Sequence, residues 1–416
     1  MKSQFLSIFA GLTLTRFLEE IEINDFVWIV KRLSGNDTGL TGGHQSGLYM
    51  PCAYFNEAFP EIYTTSRYNP EFFIDKCFIP NADIELTGLR AVYYNSKFFP
   101  EKGLKKKYNE CRITRWGGAS NPLQDPENTG SIAIFAVSRK WDESTAVAWV
   151  AASLEEENII EAWLGQEVEP GCFYMRECAL AKTSFIPAIH LPVEWFDSFP
   201  TGREIFNYIQ TLVPSNKNVS IDKLLLKRRE IEFQVFEKIE QMQVLPNIKK
   251  GFSSVEEFIK YAHSVANRRK SRAGMSLELN LESIFVDEKI IFEMQVTTEN
   301  RKKPDFLFPS GKAYHDRKFP SDKLHMLASK TCCKDRWRQI LNEADRITPK
   351  HLFTLQQGVS AHQLQEMKDN HVELVVPSPF LRLFPKAWRS SILSLEGFVN
   401  YIHSQQVSAG ISKWIS

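Results

Sequence analysis

Apolar residues recur through the first half of the chain in short β-type runs: FVWIVKRL at 26–33, AVYYNSKFF at 91–99, SIAIFAVS at 131–138 and TAVAWVAAS at 145–153. Turns containing Gly, Pro and Asn separate them, so the stretch from about residue 24 to about residue 185 reads as a β-dominated domain. Around HLPVEWFDSFPTG, residues 190–202, no period is sustained, and beyond it the spacing becomes helical. Ser254 and Glu257 have the form of a capping box ahead of VEEFIKYAHSVANRR, which predicts a helix start because each side chain satisfies an orphan amide donor. A second helix is expected from about Ala273, with Leu277, Leu281, Ile284 and Phe285 at helical spacing. The runs IFEMQVTT, PDFLF, KLHMLASKT, HLFTLQ and ELVVP then read as five strands, with helices between the later ones. The pattern as a whole predicts an α+β chain of two domains, 1–187 and 188–416, the first β-rich and the second a mixed α/β unit.

With 416 residues and 43% hydrophobic content the chain is long enough for more than one core. The net charge of +1 leaves a polyanionic partner open, because a binding face needs only local positive charge. Seven cysteines form no CxxC pair and no zinc-ligand spacing with His, and an odd number suits a disulfide framework poorly. A reducing cytoplasm is the expected setting. No run approaches the roughly 18 apolar residues of a membrane span. Phe5 to Leu14 is interrupted by Ser, Gly and Thr and followed by Arg16, Glu19 and Glu20, so it is expected as a docked amphipathic helix rather than a signal peptide. The glycines of GLTGGHQSG lack a following Gly-Lys-Ser/Thr, which argues against nucleotide triphosphate binding.

Metal-assisted cutting of a phosphodiester needs carboxylates to hold the ion and a Lys beside the scissile phosphate. Asp305 at the start of one expected strand and Lys330 at the end of the next, 25 residues on, meet that need. Leu324, Met326, Ala328 and Lys330 would share one strand face. On spacing alone a solvated surface Asp and Lys is the commoner reading of this pair. Arg268, Arg269, Lys270 and Arg272 suit phosphate contacts, or else an ordinary solvated helix end. Lys105, Lys106 and Lys107 fit a flexible loop as well as a DNA contact.

The Asp305 and Lys330 pair resembles the PD-(D/E)XK nuclease superfamily, in which a carboxylate stands two residues before the Lys. Ala328 stands there in this chain. Glu343, 13 residues after Lys330 and expected on the following helix, would return a carboxylate to the metal, as in one restriction-enzyme branch. Longer strings carry a closer likeness. RRKSRAGMSLELNLE, KKPDFLFPS with AYHD, and CKDRWRQILNEAD resemble the catalytic domain of EcoRII-type restriction endonucleases, while NDTGLTGGHQSGLY and RITRWGGASNPLQDPENTG resemble their N-terminal effector domain.

The resemblance implies a DNA-binding pseudobarrel followed by a restriction-endonuclease-like core with a mixed central sheet. It further implies a magnesium-dependent homodimer that cuts double-stranded DNA at CCWGG and is relieved of autoinhibition by a second site on the effector domain. By the same resemblance Asp305, Lys330 and Glu343 are catalytic, with Asp305 and Glu343 on the metal, Glu278 a supporting acid and Lys334 near the scissile phosphate. Asp335 and Arg336 would read C:G pairs, since Arg pairs bidentately with guanine and a carboxylate accepts from cytosine N4. Tyr314 and Arg229 would hold flipped nucleotides, and His44, Tyr49, Lys31 and Arg112 would contact effector DNA. Tyr108 and Cys111 stand where basic residues are familiar in the family. Two rivals are a DNA-binding regulator with a decayed nuclease centre and a structure-specific repair nuclease.

Overall fold

The computed structural model describes residues 8–42, 47–102, 109–138, 144–175 and 190–410. The expected division at 187/188 and the residues His44 and Lys105 to Lys107 lie outside these segments, as does the beginning of the stretch expected as an N-terminal amphipathic helix. Of that stretch Phe9 is buried, and a ten-residue helix, α1 (Leu14–Ile23), follows, capped by the Thr13 side chain.

Eight strands make the first sheet: β1 (Phe26–Arg32), β2 (Leu48–Met50), β3 (Glu71–Ile79), β4 (Ile84–Tyr94), β5 (Glu110–Thr114), β6 (Ile132–Ser138), β7 (Thr145–Val150) and β8 (Phe173–Met175). Their order is β2-β5-β4-β3-β7-β6-β1-β8, antiparallel except for the β3–β7 pair. Every residue of β1, β6 and β7 is buried. Alternate side chains of β1 explain this: Val27 and Ile29 join one core with Tyr54 and Phe55 of α2 (Cys52–Ala58), while Phe26, Trp28 and Val30 join a second with Phe17 of α1 and Ile160 of α3 (Leu154–Leu164). A strand covered on both faces reads as a continuous apolar run, which is why these three were legible.

Past residue 190 come α4 (Gly202–Leu212), α5 (Ile221–Lys250) and α6 (Val255–Asp287). The two helices expected before and after Ala273 are one 33-residue helix, which runs on through Gly274 with Ala273 itself buried. Its capping box is only half formed. Ser254 Oγ accepts from the Glu257 amide at 3.1 Å, but the Glu257 carboxylate takes the amide and hydroxyl of Ser253 instead. A complete box stands at Thr201 and Glu204, at the start of α4.

The second sheet runs β14-β13-β12-β11-β10-β9. It consists of β9 (Glu293–Met294), β10 (Phe306–Phe308), β11 (His325–Lys330), β12 (Lys350–Thr354), β13 (Val372–Val376) and β14 (Leu393–Ser394). β9, β10 and β11 are antiparallel and β11 to β14 parallel, so the sheet is mixed as expected. The long strand expected in IFEMQVTT shrinks to two residues, because positive φ at Gln295 turns the chain out of the ladder. On one face Leu277, Leu281 and Phe285 of α6 pack with Phe398 of α9 (Leu395–Ser408); the other carries Trp337, Ile340 and Leu364 of α8 (Ala361–Asp369), after the short α7 (Gly311–His315). No helix among the described residues is long and apolar enough to cross a membrane.

Candidate active site

Asp305 immediately precedes β10 and is held across to β11. Its Oδ2 accepts from the Ser329 amide at 2.7 Å and the Ser329 hydroxyl at 3.1 Å, and its Oδ1 lies 3.3 Å from Gln295 Nε2. Ser329 is the neighbour of Lys330, so the antiparallel β10–β11 pairing brings the acid to the end of β11 where that Lys stands. Ala328, where the superfamily's usual acid would be, is buried among Met326, Leu352 and Trp337. A carboxylate in that apolar cluster would lose its hydration without a partner.

Glu343 was expected on a helix. The turn before it is instead a 3-10 helix, Asp335–Asn342, and Glu343 has extended backbone. The chain turns out of the helix at Ala344, whose φ is positive, and the Lys350 ammonium holds that turn, donating to the carbonyls of Glu343, of Ala344 at 3.1 Å and of Ile347 at 3.4 Å. Glu278, half-buried on α6, completes the group. Burial raises the carboxyls of both Glu278 and Glu343 above their ordinary range; the Asp305 charge pushes each further up and Lys330 pulls each down. Asp305 and Lys330 therefore both act electrically on Glu278 and on Glu343. Among the described residues no three His, Cys, Asp or Glu side chains are grouped closely enough to hold an ion as they stand.

The segment after Lys330 is organised by Gln356, almost wholly buried, whose Oε1 accepts from the amides of Cys333 at 3.0 Å and Lys334 at 2.9 Å and from the Cys332 thiol. Both cysteines are packing residues. Lys334 and Arg336 face the first sheet's half of the chain: Lys334 Nζ donates to Ser131 Oγ, and Arg336 lies 3.6 Å from Glu167 Oε1, which also accepts from Thr331 Oγ1 at 2.6 Å. Arg229 donates to the Ala273 carbonyl at 2.9 Å and to Glu169. Arg272 pairs with Glu169 as well, and with Glu232 at 2.8 Å. Burial alone would push Glu169 up, but the two guanidinium groups bring it down to about 2. Asp335 is exposed, with Arg338 at 3.5 Å. Tyr314 is buried, its hydroxyl donating to Glu299 at 2.5 Å. Lys270 is exposed on α6, while Arg269 grips Glu240 and Arg268 lies over the Phe199 ring, so the basic cluster is divided among separate tasks.

In the first half, Lys31 is buried and donates to Asp37 at 2.8 Å and to the Tyr49 carbonyl at 3.0 Å. Arg112 is buried too, bonded to Glu110 and to the Gly47 carbonyl. Of the expected effector contacts among the described residues, Tyr49 alone is exposed.

The family description Restriction endonuclease EcoRII, N-terminal, matches residues 22–179, and EcoRII C terminal matches residues 236–399. The type II restriction enzyme EcoRII of Escherichia coli is 44% identical over 396 residues, covering 92% of this chain and 95% of that protein. The chain belongs to the EcoRII family of type II restriction endonucleases. Two solved structures are also similar: metal-depleted Ecl18kI with uncleaved, modified DNA (17% identity, TM-score 0.44, covering 52% of this chain and 82% of that one) and metal-depleted Ecl18kI with uncleaved DNA (18%, 0.41, 51% and 81%). As a member of the EcoRII family the protein is a site-specific deoxyribonuclease whose partner is DNA. Several residues that build this EcoRII-type site carry no motif in the sequence: Gln356, Lys350, Glu167 and Glu169. Each acts through contacts to residues distant in the chain or to backbone carbonyls, and a lone Gln, Lys or Glu has no spacing to betray it.

Proposed function

We propose that the protein is a magnesium-dependent homodimeric endonuclease that cuts double-stranded DNA at a CCWGG-like site, each subunit cutting one strand. The observation that carries this reading is the pair of hydrogen bonds from Ser329 that hold Asp305 at the end of β11 beside Lys330, where both charges act on Glu278 and Glu343. The donor set suits a hard divalent ion: all its ligand atoms are carboxylate oxygens, and a cation would offset the burial and the Asp305 repulsion that raise two of them. Asp305 and Glu343 would hold the ion, with Glu278 in support. When bound, it supplies a Lewis acid to the phosphoryl group. Lys330 places a positive charge where the phosphate gains negative charge, and Lys334 would bind an adjoining phosphate oxygen. Ser329 keeps Asp305 oriented. Asp335 and Arg336 would read the C:G pairs, Arg229 and Tyr314 would hold the flipped central bases, and Lys270 would contact the backbone.

The division near 187/188 would then separate an effector domain, reading a second site through His44, Tyr49, Lys31 and Arg112, from the nuclease. Autoinhibition has a ready physical basis. Lys334, Arg336 and Arg229, three of the cations proposed for DNA, are bonded to Ser131, Glu167 and Glu169. The Ser131 hydroxyl and the two carboxylates would compete with DNA for these cations, and effector binding must release them. Purified Asp305→Ala protein should bind its duplex yet lose cleavage by about 10²–10³-fold or more with Mg2+; retained cleavage overturns the assigned centre.

A further inference from the structure

Two cysteines far apart in sequence face one another on the first sheet. The Cys111 thiol donates to Cys52 Sγ across 3.2 Å. Cys52 is the first residue of α2 and half-buried, whereas Cys111, in the middle of β5, is fully buried.

We propose that Cys52 and Cys111 are a reversible thiol–disulfide site that clamps the corner between β2 and α2 onto β5. A disulfide needs its sulfurs at about 2.05 Å, so roughly another 1 Å of approach closes the bond, within reach of side-chain rotation. The roles are unequal. Cys52 is reached from solvent, and the hydrogen bond it accepts from Cys111 lowers its thiol below the ordinary range, favouring the thiolate that attacks. The same bond and burial raise Cys111, which stays a thiol until a sulfur is presented to it.

With a low-molecular-weight disulfide as oxidant, the Cys52 thiolate attacks one of its sulfurs, forming a mixed disulfide and expelling one thiolate. That thiolate takes the Cys111 proton, and Cys111 attacks Cys52 Sγ and expels the second thiolate, which is protonated by solvent. Two protein thiols are oxidised and one small disulfide is reduced to two thiols. The clamp lies at the corner that carries Tyr49, because Tyr49 pairs with Arg112 and Met50 with Cys111 across β2 and β5. Locking it removes the adjustment by which Tyr49 would follow a DNA surface, a consequence that rests on the effector reading above.

Full-length protein treated with oxidised glutathione and then, under denaturing conditions, with N-ethylmaleimide should carry two fewer maleimide adducts than the reduced protein, yield a linked Cys52–Cys111 peptide, and revert with dithiothreitol. Cys52→Ser and Cys111→Ala, tested separately, should each abolish that peptide. A persistent glutathione adduct on Cys52, or full alkylation of both thiols, overturns the site. In parallel, stimulation of cleavage by an added effector duplex should fall severalfold in oxidised wild type and stay unchanged in oxidant-treated Cys52→Ser. A linked but fully stimulated enzyme overturns the regulatory consequence alone. Absence of stimulation in reduced wild type strikes the effector reading and leaves the linkage result standing.

Discussion

Glu169 is the residue on which the contact between the two halves turns. It is shared by Arg229 and Arg272, all three side chains being buried. Removing one member of a buried ionic group typically costs about 3–5 kcal/mol, whereas a partly exposed pair such as Glu167 and Arg336 is worth at most about 1 kcal/mol. Glu169→Gln should therefore lose stability in urea denaturation at neutral pH and raise cleavage of a one-site plasmid; unchanged cleavage with lost stability would give Glu169 a purely structural role. Its depressed carboxyl sets the pH sense. The stabilisation is complete above the ordinary carboxylate range and is lost as pH falls toward about 2. Glu278 and Glu343 have the opposite sign, being raised by burial and Asp305. Without metal, their contribution to stability declines as pH rises through their raised range. A divalent ion must displace their protons, so magnesium affinity, followed by calorimetry, should strengthen over that same rise. A flat pH profile would remove both from the metal site.

Each element holds its part of the site by a few identifiable contacts. α6 is anchored by its C-terminal half, where the Phe285 ring meets Phe306, Phe308, Phe292 and Phe398, and this fixes Glu278 beside the sheet. Its first turns leave Val255, Phe258 and Ile259 exposed. The turn that ends in Glu343 depends on Lys350, whose ammonium gathers three carbonyls. Burial lowers the Lys350 ammonium from its usual range, so those carbonyls must compensate its lost hydration. Lys350→Met should lower cleavage at least about tenfold while leaving duplex affinity within about twofold, because it displaces a proposed metal ligand and no proposed DNA contact. Equal losses in binding and cleavage would mean the whole segment has collapsed.

At the scale of the molecule, the β-rich half lies against the segment that follows β12. Gly35 donates from its amide to the Gln357 carbonyl at 2.7 Å, Ser360 donates to Glu127 at 2.8 Å, and a Cβ added at Gly130 would meet the Gln356 side chain at 2.5 Å. Gly130 also has φ +92°, so both its conformation and its close approach require glycine. On the proposed reading, such contacts would make cleavage depend on displacement of one half by its own DNA. Plasmids with several sites should be cut faster per site than plasmids with one, and excess effector duplex should abolish the difference. Equal rates throughout would sink effector activation.

The sequence by itself determined the strands buried on both faces, since their apolar runs need no partner to be recognised, and the mixed character of the second sheet. It also carried the proposed nuclease residues, because Asp305, Lys330 and Glu343 stand in strings similar to a known family. Where α6 would run unbroken, how short β9 would be and why Glu343 leaves its helix were decided by packing and by Lys350, contacts that local propensity does not encode. The burial of Lys31 and Arg112, and the pairing of Lys334, Arg336 and Arg229 with the other half, were likewise tertiary outcomes. A charge looks the same in a sequence whether it meets water, DNA or a carboxylate more than a hundred residues away, and only the folded chain chooses among them.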